Sequence, residues 1–187
     1  DTGIFGTGFL FETLCDNGMN DLAYSMMDQR TKPSFGWWIE QGWTTTSEYW
    51  EGGGSRNHPM FGGGLAWFYR RLAGVEADET APGYRRILIR PRPVGGATQA
   101  AYATRTPYGE ASVAWKVTGG VFELKTVVPV GATARVALPN AVAEHVAEGG
   151  RSLAQAEDVK VVGVEDGALV LEVGSGSYGF VVTPDRK

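Results

Sequence analysis

"GGGLAWFYRRLAGVEADETAPGYRRILIRPRP" (Gly62–Pro93) changes its hydrophobic period part-way along, and that change divides the chain. Up to Gly74, the residues Leu65, Phe68, Tyr69 and Leu72 recur at three- and four-residue spacing, the stripe of an amphipathic helix. Pro59 suits the first turn of that helix and Gly74 its end. After Gly83 the period is two: Ile87 and Ile89 alternate with Leu88 and Arg90, as strand residues do. Residues 76–83, polar, acidic and closing on Pro82-Gly83, read as a linker. The expected layout is therefore helical over 1–75 and strand-rich over 84–187.

Upstream, Thr7 is placed to cap a helix carrying Phe9, Leu10 and Leu14, with Asn17-Gly18 as its stop. A second helix is expected from Asn20, with Leu22, Ala23, Met26 and Met27 on one face and a break at Lys32-Pro33. The third, after His58, is so apolar that it needs further helices around it. Downstream, "ASVAWKV", "VFELKTVVPV", "ARVALP", "ALVLEV" and "YGFVV" alternate, punctuated by Gly119-Gly120, Asp166-Gly167 and Gly174-Ser175-Gly176. An antiparallel sandwich accounts for that pattern.

The composition is globular, with 43% hydrophobic and 20% charged residues in 187. A net charge of -4 with scattered Lys and Arg offers no basic face, which argues against nucleic acid and anionic membrane as partners. Cys15, the single cysteine, cannot form an intrachain disulfide and reads as a small buried hydrophobe. The chain starts at Asp1, not Met, as an excised piece of a longer protein would. "DTG" (Asp1–Gly3) is the triplet of aspartic proteases, but there it lies in a strand turn and here it runs straight into a helical pattern.

Chemistry concentrates in "TTTSEYWEGGGSRNHPMFGGG" (Thr44–Gly64). Glu48 lies among Trp43, Tyr49 and Trp50, an ionisable group in an aromatic wall whose ring faces suit the C–H side of a sugar. Glu51 reads as an ordinary solvated or ion-paired carboxylate. Neither Gly triplet is followed by Lys-Ser/Thr, so neither is a phosphate cradle; close backbone approach is the better reading.

In order, "DTGIFGTGFLFETLCDNGMNDLAYSMMDQ", "KPSFGWWIEQGWTTTSEYWE", "SRNHPMFGGGLAWFYRRLAGV" and "PGYRRILIRP" resemble the C-terminal part of bacterial α-L-rhamnosidases, glycoside hydrolase family 78. The likeness is close over 1–93 and looser beyond, through "GEASVAWK" and "VVPVGATARVALP". It implies the C-terminal part of an (α/α)6 catalytic barrel followed by an antiparallel β-sandwich. It also implies hydrolysis with inversion at the anomeric carbon of terminal α-L-rhamnose, with no metal or organic cofactor.

On this sequence the family's Thr-Thr-x-x-Glu-x-Trp stretch maps the general base onto Glu48, and the resemblance maps a sugar-contacting histidine onto His58 in "NHPMFG". Trp38, in "SFGWWIEQG", is a candidate wall of the sugar pocket. The family's general acid belongs to the first half of the barrel, so the N-terminal remainder of the same enzyme is an expected partner, beside a rhamnose-containing glycoside or polysaccharide. Two departures stand out: Ser47 where the family usually has Trp, and the short "EGGGSR" where it often has a longer insertion. The alternatives are a related (α/α)6 glycosidase or polysaccharide lyase acting on another sugar, and a supportive or carbohydrate-binding sandwich. Most of the sandwich aromatics sit at alternating positions that point into a core, which favours support.

Overall fold

Four short helices form the first part of the chain: α1 (Gly6–Asp16), α2 (Asn20–Met27), α3 (Phe35–Glu40) and α4 (Gly62–Trp67). The computed structural model describes residues 2–184, so Asp1 of the DTG triplet lies outside the described residues. The chain divides into two units, a helical one ending at Phe68 and also holding Val94–Gly96, and a strand-built one of 69–93 and the residues from Ala97 on.

Helix α1 buries a different stripe from the one expected. Thr7, Phe11 and Cys15, four residues apart, are 1–4% exposed, whereas Phe9 is 77% exposed. The reason is α4, which packs on α1 with Gly64 set among Thr7, Phe11 and Phe35. Small residues let the two backbones approach, and that fixes which face turns inward. Thr7 is thus not a cap: its hydroxyl lies 2.9 Å from the Gly3 carbonyl and 3.1 Å from that of Thr2, within the first turn. Cys15 is buried, as expected.

The helix expected after His58 has three pitches. A 3-10 turn over Pro59–Phe61 leads into α4, and Phe68–Ala73 widens into a π-helical segment. Gly74 then ends it at φ 85°, its N–H donating to the Tyr69 carbonyl at 3.0 Å. Phe5, Phe9 and Ile39 in the helical unit are 66–77% exposed, a large apolar surface for one small unit.

The strands are β1 (Val75–Ala77), β2 (Arg86–Ile89), β3 (Gln99–Thr106), β4 (Gly109–Thr118), β5 (Val121–Val128) and β6 (Thr133–Pro139). They continue with β7 (Val146–Glu148), β8 (Arg151–Ser152), β9 (Val159–Glu165), β10 (Ala168–Val173) and β11 (Gly176–Val182). One sheet runs β1-β2-β6-β10-β9 and the other β3-β4-β5-β11-β7-β8. All pairs are antiparallel except β2–β6, which is parallel because the chain leaves β2 to build β3, β4 and β5 in the other sheet before returning. The segment read as a linker starts inside a sheet: β1 pairs with β2, and Glu76 meets Arg71 at 3.3 Å. Its acidic character is used structurally. Asp78 accepts from the Thr80 hydroxyl and N–H and from Arg86, and these partners, the hydroxyl foremost, hold its carboxyl below the ordinary range.

Alternation buries Val113, Trp115, Phe122, Leu124, Tyr178 and Phe180 from one sheet against Ile87, Ile89, Val136, Leu138 and Leu171 from the other. Leu138 is fully enclosed, so Leu138→Ala is expected to destabilise the sandwich by about 2–5 kcal/mol, read as a lowered urea midpoint.

Candidate active site

Helix α3, which the hydrophobic period did not announce, sets the foundation. Ser34 caps it, its Oγ accepting from the Trp37 N–H at 2.9 Å, and so aims Phe35 and Trp38 to one side. Trp38 is 3% exposed, with ring centroids at 4.7 Å from Trp50, 5.2 Å from Phe61 and 5.7 Å from Phe35. Trp43 stacks beside it at 6.1 Å. Two indole N–H groups are engaged by backbone: Trp38 Nε1 donates to the Trp50 carbonyl and Trp50 Nε1 to the Thr2 carbonyl, each at 2.9 Å. Trp38, expected in a pocket wall, is therefore core beneath that wall and offers no free face of its own.

On this aromatic bed lies the loop Thr44–His58, closed on itself like a hairpin. The His58 N–H donates to the Thr46 carbonyl at 3.0 Å and the Glu48 N–H to the Ser55 carbonyl at 2.8 Å. Hydroxyls reinforce the pairing, Thr45 Oγ1 donating to the Arg56 carbonyl and Thr46 Oγ1 to that of His58. Arg56 covers the Trp43 ring at 4.6 Å. The turn at the tip needs glycine: Gly52 has φ 87°, and a Cβ there would fall 2.2 Å from Trp43 Cη2.

Glu48 and His58, ten residues apart in sequence, are thereby brought to the two arms of one loop. The Glu48 Oε2 accepts from the Ser55 N–H at 3.0 Å, and among the described residues Oε1 accepts nothing. The Nε2 of His58 is buried with no hydrogen-bond partner among the described residues. A buried polar atom left unmatched costs about 1–3 kcal/mol, and Trp67 Nε1 and Arg135 Nε share that status among the described residues. Glu51, by contrast, is an exposed surface carboxylate 3.4 Å from Lys32. Its own backbone N–H first, and Lys32 next, hold its carboxyl below the ordinary range.

The residues that sequence reasoning missed are Ser47 and Ser55. Ser47 is fully buried, its Oγ 3.4 Å from the carbonyls of Gly53 and Ser55, and only its difference from the family's Trp signalled it. Among the described residues no three His, Cys, Asp or Glu side chains group as metal ligands, and no helix is long and apolar enough to cross a membrane.

Residues 1–72 match the family described as the bacterial alpha-L-rhamnosidase 6 hairpin glycosidase domain, and residues 74–152 the bacterial alpha-L-rhamnosidase C-terminal domain. The chain belongs to the bacterial α-L-rhamnosidases. It is 38% identical over 192 aligned residues to an α-L-rhamnosidase of Streptomyces avermitilis, covering 97% of this chain and 18% of that protein. The crystal structure of the Streptomyces avermitilis rhamnosidase complexed with L-rhamnose superposes with a TM-score of 0.87 at 36% identity, covering 97% of this chain and 18% of that one. The rhamnosidase structure from Dictyoglumus thermophilum gives the same score and identity, over 98% and 21%. The chain thus spans about a fifth of these relatives, and corresponds to the rhamnosidases' C-terminal part: helices of the glycosidase domain followed by the β-sandwich.

Because the cap of α3 positions both Trp37 and Trp38, Ser34→Ala is expected to lower the stability of the helical unit by about 1 kcal/mol, measured by thermal unfolding.

Proposed function

We propose that this chain is the section of an inverting α-L-rhamnosidase that carries the general base, Glu48, and a sugar-binding histidine, His58. The observation that carries the reading is the pairing of Thr46 with His58 and of Glu48 with Ser55, which holds a carboxylate and an unmatched imidazole nitrogen on one loop. The Ser55 N–H occupies Oε2 and leaves Oε1 to take a proton from water. That water attacks the anomeric carbon from the face opposite the leaving group. The glycosidic C–O bond breaks as its oxygen takes a proton from a carboxylic acid roughly 6.5–9.5 Å from the base. The product is the β-anomer of L-rhamnose.

The acid is assigned to the N-terminal remainder of the enzyme, so the chain by itself is inactive. Exposed Phe5, Phe9 and Ile39 support that partnership, because neighbouring barrel helices would cover them. Trp38 serves from behind, fixing Trp50 and Trp43 against the sugar side. The substrate is a rhamnose-terminated glycoside or polysaccharide. In the sandwich Trp115, Phe122, Tyr178 and Phe180 are all buried, which favours a supportive role for that domain over a second sugar-binding face.

In the complete enzyme Glu48→Gln keeps the size of the side chain and removes the base, so kcat is expected to fall by about 10²–10⁴. Near-parental turnover, or an α-anomer as first product in NMR, would contradict the assignment. His58→Ala deletes one hydrogen bond to the sugar, and KM for an aryl α-L-rhamnoside is expected to rise roughly 2- to 13-fold. A loss of thermal stability with unchanged KM would mark His58 as a packing residue instead.

A further inference from the structure

Glu48 is held on one side by a residue that has no side chain. Gly54 has φ 68°, and a Cβ built there would stand 2.4 Å from Glu48 Oε2, 3.0 Å from its Cδ and 3.1 Å from Tyr49 Cε2. The same oxygen, Oε2, accepts the N–H of the next residue, Ser55, at 3.0 Å, and Ser55 returns its carbonyl to the Glu48 N–H at 2.8 Å. The carboxylate thus lies against bare backbone, with one oxygen fixed and one open. Behind it the buried Ser47 hydroxyl, 3.4 Å from the carbonyls of Gly53 and Ser55, ties the two sides of the loop together.

We infer that Gly54 is a positioning residue for the base: its missing side chain lets Glu48 Oε2 lie on the Ser55 N–H, and this sets where Oε1 meets the water. The inference rests on the reading of Glu48 as the base. The crowding a side chain at 54 would cause falls on the end of a flexible glutamate and the edge of the Tyr49 ring and not on backbone, while the positive φ adds a backbone strain of its own. Its neighbour Gly53 is different. A Cβ there would meet only Tyr49 Cδ2, at an ordinary 3.6 Å. Two adjacent glycines of one triplet therefore differ in whether they touch the catalytic group.

The test uses the complete enzyme and p-nitrophenyl α-L-rhamnoside. A carboxylate displaced by about 1 Å costs up to ~10²-fold, so Gly54→Ala is expected to lower kcat at least about tenfold with KM within about twofold. Gly53→Ala is expected to keep kcat within about twofold of the parent. In a Glu48→Gln background Gly54→Ala should add no further loss, since the group it positions is already disabled. Asparagine tolerates positive φ better than alanine yet carries the same Cβ, so Gly54→Asn should reproduce the kcat loss even where Gly54→Ala folds poorly. Parental kcat in Gly54→Asn, or a Gly54→Ala loss that persists undiminished with Glu48→Gln, would overturn the positioning role. Near-parental kcat in Glu48→Gln alone would overturn the base assignment instead, so the two failures are distinguishable.

Discussion

Trp50 is tied at both ends, its carbonyl to the Trp38 indole and its own indole to the Thr2 carbonyl, and the rest of the helical unit is organised by those two bonds. They join the segment before α1, the capped helix α3 and the loop that carries Glu48. Each would be weak in water. Inside a cluster of Phe35, Trp38, Trp50 and Phe61 the alternative to each bond is a stranded indole N–H, and that penalty makes the geometry specific. The site residues need this, because a loop without helical or sheet neighbours has only its own hydrogen bonds and the surface beneath it to define its shape.

The two units solve the burial problem in different ways. The sandwich closes its core within itself: Ile87, Leu124, Val136, Leu138 and Leu171 have essentially no exposure. The helical unit buries an aromatic cluster but leaves Phe5 and Phe9 on its surface. An element that must face the inside of a barrel is apolar on more than one side, and its sequence shows the excess wherever the barrel is not whole. In the same unit His58 Nε2 is buried with no hydrogen-bond partner among the described residues.

Sequence reasoning reached the division into helices and strands because the period of apolar residues changes from 3.6 to two across Gly74–Gly83, and both periods follow directly from backbone geometry. It singled out Glu48 and His58 through a family likeness, and nothing in residue spacing reveals that 46 meets 58 and 48 meets 55. It chose the wrong stripe of α1 because Phe9 and Phe11 are equally apolar, and only the packing of α4 on Thr7 and Phe11 decides between them. Helix α3 escaped notice because six residues hold too few turns to show a period, although Ser34 before Phe35 was a legible cap. The acidic segment 76–83 looked like a linker because polarity was read as exposure; Asp78 and Glu76 are instead enclosed by Thr80, Arg86 and Arg71.

Ser47 stands where the resemblance leads to an expectation of Trp, and its surroundings suit a small polar side chain. A tryptophan at that place would need a large apolar socket, and here a fully buried hydroxyl sits between the carbonyls of Gly53 and Ser55. The short "EGGGSR" brings those two carbonyls back over Ser47, each 3.4 Å from its Oγ. On the same arm Gly54 lies against the Glu48 carboxylate, where a Cβ would stand 2.4 Å from Oε2. The buried serine and the bare backbone at Gly54 are thus two contacts of one loop arm, one beneath the turn and one beside the Glu48 carboxylate.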